Sequence, residues 1–197
     1  NKIKLNVETI FFGGGSPTFY NREDLKNLVD KLKGLFDWSK VVNFTVESDP
    51  RRVDADRLLY NHKVCGANRI SFGMQDFDPN VQRRVNRIQP PEFFKRILTK
   101  EVRKAYKTIA FDLLIGQPGQ TPKTMATTCD QMIELKPTLV QLSLMAYKPW
   151  VAKYQIKMLE EGPLPDFLDR KELLEVIHTK LNAAGYIRTG FECYSLP

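Results

Sequence analysis

The chain has 197 residues, 42% hydrophobic and 27% charged, which suits a soluble core and excludes a fibrous or low-complexity chain. No apolar run nears the ~20 residues of a membrane span, and no secretory signal is visible, so neither a membrane nor an extracellular setting is expected. The net charge of +7 fits an anionic partner, but the basic residues are scattered, without a long run or a zinc-finger spacing, so nucleic acid is not the expected one.

In chain order, Val7–Phe12 is predicted as a strand that runs into Gly13-Gly14-Gly15-Ser16. The chain starts at Asn1, almost inside this strand, so a fragment of a longer protein is expected. Asn21 is placed to cap a helix reaching about Phe36, with Leu25, Leu28, Val29, Leu32 and Leu35 on one face. A strand follows over Asn43–Glu47, then a helix begun by Asp54 and ended by Gly66. Asn68–Met74 is the third strand, followed by a short helix near Pro79–Val85 and a longer one over Pro91–Tyr106. Thr108–Ile115 is the fourth strand, closed by "GQPGQTP"; Thr121 then caps a helix with Pro122 in its first turn, where a missing N–H costs nothing. Leu139–Leu144 is the fifth strand, and helices near Val151–Glu161 and Asp166–Ala184 complete the pattern, with Gly185 as a C-cap.

Strands alternating with helices imply right-handed βαβ units and a parallel sheet in a single domain over residues 1–197. A doubly wound sheet and a barrel both fit that alternation. The strand ends favour the barrel. Glycines and Ser16 end the first strand, Glu47-Ser48-Asp49 the second, Gln75-Asp76 the third and Gly116-Gln117 the fourth, while the fifth runs to Ala146-Tyr147. In a barrel such ends converge on one mouth. Cys65, Cys129 and Cys193 show no metal-binding spacing, and their odd number points to a reducing cytoplasm. His62 and His178 read as ordinary surface or boundary residues.

The triple glycine matches neither common phosphate loop. It leaves a row of bare backbone groups, which suits a compact polar ligand head such as an amino acid; a tight turn is the competing reading.

"FFGGGSPTFYN", "VESDPRRV", "NRISFGMQDFDPNVQRRVNRIQ" and "DLLIGQPGQTP" resemble successive motifs of the oxygen-independent coproporphyrinogen III oxidases, which are radical S-adenosylmethionine (SAM) enzymes of haem biosynthesis. The likeness runs from about Val7 through "GFECYSLP", and Asp76 in "MQDF" and Asp49 in "ESDP" favour the oxidases over the related haem chaperones. It implies an α/β partial (β/α)6 barrel of which this chain holds the second to sixth strands, without the upstream cluster-binding segment or the C-terminal helical domain. It implies that Gly14 and Glu47 meet one SAM, that Gly15 and Ser16 meet a second, and that Gln75, Arg87, Asp112 and Ala146 also belong to the second. Taken by themselves, Glu47 would serve as a capping or surface acid and Arg87 as part of a solvated basic helix, whereas Asp112 inside "IAFDLLIG" would be costly unpaired. The implied cofactors are SAM and a [4Fe–4S] cluster whose Cys-x-x-x-Cys-x-x-Cys ligands are absent here; the implied reaction turns two propionates of coproporphyrinogen III into vinyl groups, with an electron donor for the cluster. In "GFECYSLP", Glu192 and Cys193 replace the family's Asp and His. A haem chaperone, a haem-degrading relative and a non-catalytic remnant of the fold are the alternatives, and the expected location is cytoplasmic.

Overall fold

The computed structural model describes residues 6–197. Its strands are β1 (Thr9–Phe12), β2 (Asn43–Ser48), β3 (Arg69–Gln75), β4 (Thr108–Ile115), β5 (Leu139–Leu144), β6 (Ile187–Arg188) and β7 (Cys193–Ser195). The helices are α1 (Arg22–Lys33), α2 (Ala55–Tyr60), α3 (Pro79–Arg84), α4 (Pro91–Ile97), α5 (Lys100–Ala105), α6 (Pro122–Glu134), α7 (Tyr154–Glu160) and α8 (Phe167–Ala183). Hydrogen bonding orders the strands β1-β2-β3-β4-β5-β7-β6. β1, β2 and β3 run parallel, and β7 lies antiparallel to both β5 and β6. Among the described residues no helix is long and apolar enough to cross a membrane.

The chain packs as two compact units. The first comprises the described residues up to Gly73 together with Phe94–Ala110. Its helices start where local chemistry says they should. The Asn21 side chain accepts from Asp24 N–H at 2.8 Å, and that of Asp54 from Arg57 N–H at 2.7 Å. α1 ends at Lys33 with Gly34 as its cap, short of the expected Phe36; its Leu25 and Val29 are fully buried, whereas Leu28 within it and Leu35 beyond it are exposed, so the buried stripe is narrower than the sequence suggests. α2 continues into one π turn, Asn61–Cys65, and stops at Gly66, whose φ of 86° is the left-handed conformation glycine tolerates. The core is aromatic: Phe44 meets Phe12 and Trp38 edge-on at 4.9 and 5.7 Å, and Phe72 meets Phe94 at 5.7 Å. The helix expected over Pro91–Tyr106 is in fact α4 and α5, because Thr99 accepts from Val102 N–H at 3.3 Å and caps a new helix instead of continuing the old one.

The second unit comprises Met74–Phe93 and Phe111–Pro197. α6 opens with Pro122 and a Thr121–Thr124 capping box. It packs on α8; Met125, Cys129 and Met132 of α6 and Leu173, Ile177 and Leu181 of α8 are all buried, and a Lys180–Asp130 ion pair of 2.7 Å also joins the two helices. The β6–β7 pair has no counterpart in the sequence reading. Val140 faces Tyr194, which is buried and bonds His178 Nδ1 at 3.1 Å.

Candidate functional site

In the first unit, the parallel register pairs Phe12 with Val46, so that Gly13 follows beside Glu47. A Cβ on Gly13 would lie 2.9 Å from the Glu47 carboxyl and collide with the Phe11 ring. A side chain there would have to push both of these side-chain ends aside. At Gly14 and Gly15 a Cβ would meet nothing within 4 Å, but φ is 84° and 149°; the requirement there is conformational. Gly14 N–H donates to Glu47 Oε2 at 3.1 Å. Asp49 N–H donates to Ser16 Oγ at 3.3 Å, and Asp49 is itself held by Arg51 Nε at 2.9 Å. Gly14, Gly15, Ser16 and Glu47 therefore gather at the ends of β1 and β2, as the sequence reading expects. A cavity of about 350 Å³ is lined by Gly14, Gly15 and Ser16 together with Phe11, Tyr20 and Leu28; Glu47 is not among its lining residues. A carboxylate beside bare backbone groups is a donor and acceptor set that fits the ammonium and carboxylate of an amino-acid ligand such as SAM.

In the second unit, Gln75 sits at the centre of a γ-turn. Asp76 N–H donates to Met74 C=O at 2.9 Å across it, and Gln75 has φ 68°. This form is rare and strained, and strain of this kind is kept where the surroundings over-determine it. The surroundings here are a buried amide network that the sequence reading did not find. Asp76 is 1% exposed. Its Oδ1 accepts from Thr128 Oγ1 and Asp78 N–H, both at 2.7 Å, and its Oδ2 from Gln120 Nε2, also at 2.7 Å. Burial pushes this carboxyl above the usual range while the three donors pull it back. Gln120 Oε1 accepts from Gly116 and Gln117 N–H at 2.7 and 3.0 Å. Gln82 Nε2 donates to the Asp76 and Gln89 carbonyls at 2.9 and 3.0 Å, and Gln89 Nε2 donates to Met74 C=O. Arg87 joins this network through Nε to Gln89 Oε1 at 3.0 Å. Arg87 is thus linked through one side chain to the residue before Gln75. Asp112 stands half-buried in β4. The Ala146 C=O accepts from Gln155 Nε2 at 3.0 Å, and buried Gln155 also accepts from Lys148 N–H at 2.6 Å. The missed signal is the set of glutamines beside glycine, proline or Asp in "MQDF", "NRIQPP" and "GQPGQTP".

Among the described residues no group of His, Cys, Asp or Glu is arranged to hold a metal ion. Cys65 and Cys129 are buried and Cys193 is half-buried, all as free thiols. Burial raises the pKa of Cys65 and pushes that of Cys129 up to about 12. The residues of this chain therefore do not fit an iron–sulfur cluster, whose ligands are thiolates.

Residues 1–132 match the radical SAM superfamily. The oxygen-independent coproporphyrinogen III oxidase of Pseudomonas aeruginosa is 34% identical over 194 residues, covering 97% of this chain and 42% of that protein. The Helicobacter pylori protein of the same name is 32% identical over 192 residues, with 96% and 41% covered. The chain thus spans about two fifths of the length of these curated relatives. The structure of the Escherichia coli coproporphyrinogen III oxidase, described as a radical SAM enzyme, superimposes with a TM-score of 0.88 at 30% identity, over 97% of this chain and 44% of that one. An archaeal Elp3 from Methanocaldococcus infernus shares the fold alone, at a TM-score of 0.69 and 15% identity. The α/β fold is the one expected from the strand ends and the motifs, and the chain belongs to the radical SAM superfamily.

Proposed function

We propose that this chain forms the SAM-binding and substrate-facing part of an oxygen-independent coproporphyrinogen III oxidase. The observation that carries the reading is the match to the E. coli oxidase along 97% of the chain at a TM-score of 0.88. In this reading Glu47 accepts hydrogen bonds from the ammonium or ribose hydroxyls of one SAM, and Gly14 offers its backbone to the same molecule. Gly15 and Ser16 meet a second SAM, with Gln75, Arg87, Asp112 and Ala146. The Ala146 carbonyl keeps a second lone pair for a ligand besides the Gln155 bond. SAM bound beside a reduced [4Fe–4S] cluster supplies hydrogen-abstracting chemistry, and the thiolates for that cluster are assigned to a segment outside these residues. The chain's own groups bind, orient and exclude water. Each reacting propionate loses a hydrogen and its carboxyl group as carbon dioxide and becomes a vinyl group, an electron passing to an acceptor. The four carboxylates of the substrate suit a chain of net charge +7.

The test is anaerobic turnover by the full-length protein, reconstituted with iron and sulfide and supplied with SAM, dithionite and coproporphyrinogen III. The expected result is SAM-dependent formation of protoporphyrinogen IX. Haem binding without porphyrinogen turnover would point instead to a haem-handling relative.

A further inference from the structure

The loop after β4 carries two glycines with a guanidinium packed on each. A Cβ on Gly116 (φ 98°) would lie 3.1 Å from Arg170 Cζ, and one on Gly119 (φ 87°) 3.2 Å from Arg84 Cζ. Gly162 (φ 138°), just before α8, clears another side: its Cβ would lie 2.7 Å from Arg84 Nη1. Three glycines thus leave room for two arginine heads. Arg84, the last residue of α3, is half-buried, and its side chain makes no hydrogen bond or ion pair among the described residues. Arg170 donates from Nε to the Pro165 carbonyl at 3.0 Å, and no carboxylate pairs with it among those residues either. A half-buried guanidinium without a counter-ion keeps its N–H donors open to water or to an anionic ligand.

The space beside Arg84 shows what kind of ligand. A cavity of about 340 Å³ is lined by Arg84, Gly119, Pro163, Leu164, Pro165 and Leu173 among others, within the size range of small-molecule clefts. Its walls combine the apolar Pro163, Leu164, Pro165 and Leu173 with the polar Gln120 and Thr121, and Arg84 is the cation on them. Asp169 also lines it, but its Oδ2 accepts from Asp166 N–H at 2.9 Å and caps α8. The N-terminus of α6, at Thr121 and Pro122, adds the positive end of a helix. An apolar body carrying an alkyl carboxylate satisfies both features. A guanidinium binds a carboxylate with two parallel N–H donors.

We propose that Arg84 holds a propionate carboxylate of the tetrapyrrole substrate in this cavity, with Arg170 strengthening the positive field at the same loop; the inference rests on the oxidase reading given above. SAM also carries a carboxylate, so the test separates the two sources. The full-length protein is titrated with coproporphyrin III, the unreactive aromatic form of the substrate, with its tetramethyl ester, and separately with SAM. The wild type is expected to bind the free acid and discriminate against the ester. Arg84→Met, which keeps the apolar stem, is expected to weaken coproporphyrin binding by about ten- to a hundred-fold and to leave SAM binding unchanged. Arg84→Lys, which keeps the charge without the fork, is expected to lose about three- to ten-fold and covers the case in which Arg84→Met does not fold. Equal coproporphyrin affinity in wild type and the folded variants overturns the assignment, as does a loss confined to SAM. A wild type that binds no coproporphyrin overturns the oxidase reading itself and this inference with it.

Discussion

Glu47 and Gly13 act as one device. The carboxyl is held against Gly14 N–H, and the missing Cβ of Gly13 is what lets it come so near. Gly13→Ala is therefore expected to displace Glu47 and weaken SAM binding in the full-length protein as Glu47→Ala does, each by about ten- to a hundred-fold. Because both changes remove the same contact, the double variant should lose little more than either single one. Additive losses in SAM titrations would separate the two residues, and unchanged titrations would remove Glu47 from the site. At Asp76 the surroundings dictate the residue. Gln120 is locked by two backbone donors on its Oε1, so its Nε2 must face position 76; Thr128 accepts from Phe77 N–H at 3.3 Å and so donates to Asp76. Position 76 must then accept on both sides. Asp76→Asn puts an amide N–H against Gln120 Nε2 and is expected to cost about 1–3 kcal/mol in denaturant unfolding.

At the scale of elements, what was legible in the sequence was local. Asn21, Asp54 and Thr121 cap their helices with their own side chains, and Gly66 and Gly185 end helices at φ 86° and 85°. Each signal lies within a few residues of its effect. The break between α4 and α5 was missed although it is also local, because the apolar spacing through Phe94, Ile97, Leu98 and Val102 fits one continuous helix and only the Thr99 cap interrupts it. β6 and β7 were missed for a different reason. Two- and three-residue strands carry no alternation, and their pairing with β5 joins residues far apart in sequence. The site divides in the same way. Motifs single out Gly14 and Glu47, which the structure brings into contact, whereas Asp76 meets Gln120 across 44 positions and Thr128 across 52, a pairing no spacing rule reveals. The strained turn at Gln75 was equally hidden, since nothing in "GMQDF" marks a left-handed glutamine.

For the whole molecule, the cluster chemistry of the superfamily and the thiols of this chain do not meet. A cubane cluster needs several thiolates converging on one point. Cys65 ends the π turn after α2, Cys129 lies inside α6, and Cys193 opens β7. The first two are 0% exposed, and at neutral pH Cys129 stays a thiol because burial raises it to about 12. A buried thiol is a poor metal ligand, since the thiolate is the binding form. The 197 residues expressed alone are therefore expected to stay colourless after anaerobic reconstitution with iron and sulfide, and to cleave no SAM under dithionite. On the oxidase reading proposed above, the full-length protein treated in parallel should turn brown and cleave SAM, which serves as the control for the procedure. The visible spectrum, bound iron and sulfide, and 5′-deoxyadenosine yield decide the matter. A brown 197-residue chain with bound iron and sulfide would mean that Cys65, Cys129 and Cys193 rearrange into a ligand set, at the expense of two buried core positions.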